Sequence, residues 1–443
     1  MKRLFQIERK IEAENDRDAF RAPYSRMKAH SSEAAGLARK KVKLAYLVSH
    51  PIQYQAPLLR RIAQEPDIDL TVFYGSDFSV REYKDKGFGV GVKWGVSLLY
   101  GYRYEFLPAI REGERTGMTW PMNYGIFSRL LGSGNEPRFD ALWVHGYATV
   151  NAIHAMVAAK TLGIPVLLRG ESWMGDRERG GVKLAVKRLF FKGLRELVDG
   201  AMPIGTLNEA YWRHYLGDDL PLFPVPYAVD NDYFQRCSRE AREGRTRLLD
   251  ELKLEPGRQV ILFASKLQRR KRCRDLLEAY RNLCAEPNQE APPYLVIVGD
   301  GQERAELESR AGAYGLDGVR FCGFRDQSEL PRFFDLATVF VLPSRHEPWG
   351  LIVNEVMNAG RPVIVSDDVG CQPDLITDGV EGCVFPAGNV AALADSLRRV
   401  LATTETAMRM GERGLERIRV WNFEEDVRGL RLALAAVTRK MKA

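Results

Sequence analysis

One stretch, TVFVLPSRHEPWGLIVNEVMNAGRPVIVSDDVGCQP from Thr338 to Pro373, constrains the fold more than any other. Its apolar runs, Val339 to Leu342 and Val363 to Val365, suit strands buried on both faces. The segment between them is long enough for a crossover helix opening at Gly350. The stretch therefore predicts a βαβ unit of a parallel sheet. Glu347 falls in the loop after the first strand and Glu355 inside the helix. In an open α/β sheet, that loop lies where ligands bind.

The same alternation occurs twice along the chain. At 443 residues the chain exceeds what one core usually organises. A first series runs from VKLAYLVS at Val42 through ALWVHG (141–146) and PVLLRGES (165–172) to GAMPIG (200–205). A second runs from QVILFASK at Gln259 through PYLVIVGDG and VRFCGF into the opening stretch. The expectation is an α/β protein of two Rossmann-like, doubly wound domains facing a central cleft. Pro221, Pro224 and Pro226 mark the end of the first domain. The boundaries read as a flexible leader (1–41, with Met27 as an alternative start), a first domain (42–230), a polar linker with one short helix (231–257), a second domain (258–420) and a closing helix (421–443). Residues 75–125, rich in glycine and aromatics, read as long loops that cover a site.

Composition mainly excludes. The six cysteines are scattered with no CxxC, which argues against a zinc site or a disulfide scaffold and fits a reducing cytoplasm. Of the formal charge of +7, residues 1–41 carry +5, so no nucleic-acid partner is expected. No apolar run reaches the length of a membrane span, and the leader lacks a secretory apolar core. The helix expected near 181–198 carries an apolar stripe of Val182, Val186, Leu189, Phe190 and Leu197, with Lys183, Lys187, Arg188, Lys192 and Arg195 around it. Packing on the sheet with a solvated basic face is the favoured reading. Peripheral contact with the inner face of an anionic membrane is the alternative.

Several motifs carry chemistry. Gly299-Asp300-Gly301 joins a strand to a helix, where glycines permit a ligand's close approach but are also favoured for steric reasons alone. Lys266-Leu267-Gln268-Arg269-Arg270-Lys271-Arg272 follows a strand. It reads as a solvated basic loop or as a grip on a diphosphate, with Lys266 and Lys271 the chosen cations and the arginines solvated. His50 and His145 follow first-domain strands and are either cleft residues or satisfied structural histidines. Arg169 and Glu171 are acceptor-side candidates or caps. Taken alone, Glu347 reads better as a helix cap and Glu355 as a surface pair. Asp367-Asp368 is adjacent rather than a spaced DxD, so no metal is expected.

Taken in order, Ser265-Lys266-Leu267 with Lys271, GDGQER (299–304), FCGF (321–324) and HEPWGLIVNE resemble a retaining, nucleotide-sugar-dependent glycosyltransferase of family four with the GT-B fold. HPIQYQAPL (50–58) resembles one subgroup of that family, and WVHG (143–146) fits it more loosely. The resemblance implies transfer of a hexosyl or related sugar from a nucleotide diphosphate sugar to an acceptor hydroxyl, with retention and no cofactor. Glycan, glycolipid or polysaccharide biosynthesis is the implied setting, and a lipid-linked acceptor stays open.

Residue by residue, it implies that Glu347 meets the donor sugar's hydroxyls and Glu355 the ribose. Lys266 and Lys271 would neutralise the diphosphate, and the amides of Gly350 and Leu351 would bind its terminal phosphate. Phe324 and Arg325 would hold the base, with Gly299 and Trp349 in the same donor site. His145 would face the transferred sugar, and the closing helix would pack back on the first domain. His50, Gln53 and Tyr54, with Arg169 and Glu171, are the acceptor-side set. The sequence departs from the family at Lys266 (usually Arg), at Arg272 (commonly Gly) and at His50-Pro51-Ile52-Gln53, which replaces a Gly-rich turn. A sugar-nucleotide epimerase or phosphorylase of the same fold, or a non-catalytic nucleotide-sugar-binding protein, are the alternatives.

Overall fold

The computed structural model describes residues 41–439 apart from 82, 85–90, 93–94, 96, 112–116, 133–136, 178–179 and 287–290. The leader, except Lys41, lies outside the described residues, as do parts of the 75–125 segment.

Two six-stranded parallel sheets form the scaffold. The first contains β1 (Val42–Val48), β2 (Ile68–Tyr74), β3 (Arg103–Phe106), β4 (Ala141–His145), β5 (Val166–Arg169) and β6 (Gly200–Ala201), in the order β6-β5-β4-β1-β2-β3. The second contains β7 (Val260–Ala264), β8 (Tyr294–Val298), β9 (Val319–Phe321), β10 (Val339–Leu342), β11 (Val363–Ser366) and β12 (Gly382–Phe385), in the order β9-β8-β7-β10-β11-β12. Each sheet grows outward from its first strand in one direction, then returns and grows in the other. The reversal falls between β1 and β4 in one sheet and between β7 and β10 in the other. Loops that leave such neighbouring strands in opposite directions open a crevice at their carboxyl ends.

The strands are buried on both faces, so their apolar residues sort by alternation. Ala45 and Leu47 face a layer containing the helices Val150–Thr161 and Thr206–Leu216. Leu44, Tyr46 and Val48 face the helix Ala56–Ala63 and the last helix, Phe423–Arg439. That last helix thus belongs to the first domain's core, through Val427, Leu430, Ala433, Leu434 and Val437. Ion pairs anchor its outer side: Arg61 Nη2 to Glu424 Oε2 at 2.9 Å, and Arg431 Nη2 to Asp67 Oδ1 at 2.7 Å.

Two regions differ from the sequence reading. Residues 231–257 hold two helices, Asn231–Glu240 and Arg245–Leu252, rather than one. The second is fixed by Arg245, whose Nε donates to buried Asp335 Oδ2 at 2.8 Å. The helix Gly181–Arg195 is also rotated from its expected pose. It buries Phe191 and Leu194, followed by Val198, and lays Lys187 over the rings of Tyr211 and Tyr215 at 4.5 and 4.2 Å. Of the stripe expected to pack on the sheet, Val182, Val186 and Leu189 instead face outward, Val182 81% and Leu189 73% exposed, while Leu197 packs against the core. This short sequence carries two apolar stripes, and the aromatic one has the ring partners to win the interior.

If the last helix is integral to the first domain, Leu430→Ala should destabilise the protein by about 2–5 kcal/mol, read as a lower urea midpoint.

Candidate functional site

Both crevices carry polar residues, and the two meet. In the second domain, the loop after β7 delivers Lys266 and Lys271 and the loop after β10 delivers Glu347. Lys271 and Glu347 are each 7% exposed and form an ion pair between Nζ and Oε2. Arg270 Nη1 reaches the same oxygen at 3.2 Å. Arg270 is exposed, as read from the sequence, and also lends its guanidinium to this buried carboxylate. Burial pulls the Lys271 ammonium below its usual range and Glu347 opposes this, while Arg270 and Lys266 push it lower again. For Glu347 burial pushes the carboxyl up, but Lys271 and Arg270 outweigh it and hold it below the ordinary range.

The basic loop needs unusual backbone. Arg272 sits at φ +52° just before the helix Cys273–Cys284. That left-handed position explains why a glycine would be favoured there. Arg272 stays anchored through Nε to Asp275 Oδ2 at 2.5 Å. Gly299, at φ +133°, has a steric reason to be glycine, since a Cβ would stand 1.9 Å from the Ser265 carbonyl oxygen. Gly350, at φ +90°, and Leu351 immediately precede the helix Ile352–Met357.

Glu355, on that helix, is buried rather than a surface pair. Gln327 Nε2 donates to its Oε1 at 3.3 Å, and burial pushes its carboxyl up to about 8. Phe324 and Arg325 follow β9 and are half-buried. Arg325 Nε donates to the Cys322 carbonyl at 3.1 Å and its Nη1 to Glu329 at 3.3 Å, so its guanidinium braces its own loop.

Trp349 does not line an open donor site. Its indole is 3% exposed, donates to Asn354 Oδ1 at 3.0 Å and stacks on Trp421 at 5.7 Å between centroids. It is a wedge between the domains. Nearby, the Tyr227 carbonyl accepts from both Asn354 Nδ2 (2.9 Å) and Trp421 Nε1 (3.1 Å).

In the first domain, His145 ends β4 and Glu171 lies just beyond β5, with His145 Nε2 3.5 Å from Glu171 Oε1. The Tyr54 hydroxyl donates to the same oxygen at 3.0 Å, and the Tyr227 hydroxyl also donates to it. Burial opposes the Glu171 charge, but hydrogen bonding with His145, Tyr227 and Tyr54 prevails, bringing its carboxyl to about 2. His145 Nδ1 is buried with no hydrogen-bond partner. His50 leaves β1 against the Phe78 ring at 4.6 Å, with Nδ1 2.9 Å from Ser49 Oγ. Burial, with His145 beside it, lowers its imidazole to about 4, so it is neutral at pH 7. Gln53 is half-buried in the turn leading into the helix Ala56–Ala63.

Arg169 is not an acceptor-side residue. It is 2% exposed and donates from Nη2 to the carbonyls of Val225 (3.2 Å) and Pro226 (3.0 Å) and to Asp426 Oδ1 (3.3 Å). It ties the last helix to the domain boundary, because it ends β5 pointing at the face that helix covers.

Contacts that the sequence reading missed join the two halves. Trp173 Nε1 donates to the Glu347 carbonyl at 3.1 Å, and His346 Nδ1 lies 2.7 Å from the Gly175 carbonyl. Thr206 Oγ1 donates to Asp374 Oδ1 at 2.7 Å. The only available signal was position: Trp173 lies two residues after Glu171, in the loop beyond a strand end. Among the described residues, no three His, Cys, Asp or Glu side chains gather as a metal-binding group.

Residues 245–417 match the model of a family described as Glycosyl transferases group 1. That segment, less than half of the chain, is similar to a group 1 glycosyltransferase domain. Alpha-D-kanosaminyltransferase of Streptomyces kanamyceticus is 33% identical over 183 residues, 41% of this chain and 46% of that protein. N-acetyl-alpha-D-glucosaminyl L-malate synthase of Bacillus anthracis is 25% identical over 301 residues, 67% of this chain and 74% of that one. The matches span about half or less of the first curated relatives. Among solved structures, Anabaena HepE, in complex with UDP and glucose, superposes with a TM-score of 0.64 at 14% identity, over 89% of this chain and all of that one. Sucrose-phosphate synthase from Thermosynechococcus elongatus gives 0.62 at 20% identity, over 90% and 99%. The fold is GT-B, and the segment similar to the group 1 family lies in its second half.

Glu355 supplies a pH test. Its folded-state carboxyl, at about 8, lies above the unfolded value of about 4.3. Its contribution to stability is therefore full below the unfolded value and lost as pH rises through about 8. Melting curves from pH 5 to pH 9 should show Glu355→Gln losing less stability than the wild type as pH rises.

Proposed function

We propose that this protein transfers a sugar from a nucleoside diphosphate sugar to an acceptor hydroxyl, with retention at the anomeric carbon. The observation that carries the reading is the Lys271–Glu347–Arg270 cluster, with Lys266 beside it, at the crevice of the group 1 domain. A sparingly hydrated ammonium is a strong partner for the charge that builds on a departing diphosphate. In this reading Lys266 and Lys271 meet the diphosphate, and the amides of Gly350 and Leu351 approach its terminal phosphate. Glu355 meets the ribose, and Glu347 meets the sugar while holding the cations in place.

The way the carboxylates are occupied supports the retaining reading. Glu347 is shared between two cations, Glu355 carries a proton near neutrality, and Glu171 is held by two tyrosines and His145. None is an available base or nucleophile. The bond from the anomeric carbon to the diphosphate oxygen breaks, and the acceptor oxygen bonds to that carbon on the same face. The acceptor's proton passes to the departing phosphate oxygen. His145 and His50, across the crevice, face the sugar and acceptor. HepE binding UDP supports a uridine diphosphate sugar as the first donor to try.

Lys271→Ala should lower turnover at saturating donor by about 10²–10³-fold while the far-ultraviolet spectrum is unchanged. Near-wild-type turnover would remove the leaving-group role. UDP should raise the melting temperature of the wild type with a concentration dependence that reports its affinity, and should raise that of Lys271→Ala far less. NMR of the product should show the donor's anomeric configuration kept.

A further inference from the structure

The helix Gly181–Arg195 meets the rest of the protein through Phe191, Leu194 and the stem of Lys187. Its opposite face carries Val182, Val186 and Leu189, exposed at 81, 64 and 73%, with Phe190 at 38% on the shoulder. Their spacing puts them on one side of the helix, making a continuous apolar strip in water. The flanks are basic. The helix contains five Lys or Arg and no Asp or Glu. Lys187 is committed to the Tyr211 and Tyr215 rings and Arg195 to Asp219 at 2.7 Å. That leaves Lys183 and Lys192 exposed on the two flanks of the strip, with Arg188 exposed further round the helix.

We propose that this helix lies in the plane of an anionic lipid bilayer, with Val182, Val186, Leu189 and Phe190 among the acyl chains and Lys183, Arg188 and Lys192 on headgroup phosphates. The charge distribution selects this occupant. A second copy docking by the same face would bring cations against cations around a small apolar contact. An anionic bilayer offers an apolar interior beneath a layer of negative charge, which matches a strip edged by cations. No described helix is long and apolar enough to cross a membrane, so the contact is peripheral. Gly175, whose carbonyl meets His346, lies six residues before the helix in sequence. The proposal does not depend on the transfer reading, because its test involves no sugar.

The test is flotation of the full chain with vesicles of phosphatidylglycerol and phosphatidylcholine, and with phosphatidylcholine alone. The wild type should float with the anionic vesicles, stay at the bottom with the neutral ones, and be released by high salt. Lys183→Glu/Arg188→Glu/Lys192→Glu should weaken binding by about 100-fold or more, and Leu189→Glu alone should weaken it with the basic flank intact. All these positions are exposed, and matching circular dichroism confirms folding. A wild type that does not float, or variants that float equally well, would overturn the proposal. So would a concentration-dependent dimer, seen by light scattering, that Leu189→Glu dissolves in the absence of vesicle binding.

Discussion

A carboxylate withdrawn from water must be matched by positive charge, and Glu347 imposes that condition on the whole second crevice. It draws in Lys271 and Arg270 from the loop after β7, so two loops from neighbouring strands are fastened at the point where the sheet reverses. The left-handed Arg272 and the close approach of Gly299 to Ser265 are what let the first of those loops make the turn. The carbonyl of the same glutamate takes a hydrogen bond from Trp173 of the other domain. One residue thereby sets the local charge and marks where the domains touch.

The first domain answers with a different economy. Instead of cations, two tyrosines and a histidine surround Glu171. Hydroxyl donors stabilise a buried carboxylate without adding net charge. The crevice is thus asymmetric, with clustered cations on one wall and a carboxylate held by hydroxyls on the other.

The architecture was legible because strands buried on both faces leave unmistakable apolar runs, and because turns such as Gly299 to Gly301 punctuate them. Glu347 and Lys271 could be singled out because they lie in loops after strands, and His145 because it ends one. What the sequence hid depends on contacts between distant segments. Arg169 reads like a site residue from its place after β5, yet its partners are Val225, Pro226 and Asp426. Trp349 lies in the most informative motif of the chain, but its burial depends on Trp421, many residues away. Arg270 is exposed as expected, yet nothing local says that it, among four neighbouring cations, also reaches the buried carboxylate. On the helix Gly181–Arg195, two apolar stripes compete, and only the ring partners from the Thr206–Leu216 helix decide between them.

The chain passes between the domains twice, near Tyr227 and near Trp421, and the two passages are stitched together. Asn231 Nδ2 donates to the Ile418 carbonyl at 3.0 Å, and the Tyr227 carbonyl receives the Trp421 indole. Paired strands of backbone fastened side by side resist shear and twist but bend readily about the line that joins them. Such a double strap places both crossings of the chain along one line, on the side where Trp421 and Tyr227 meet.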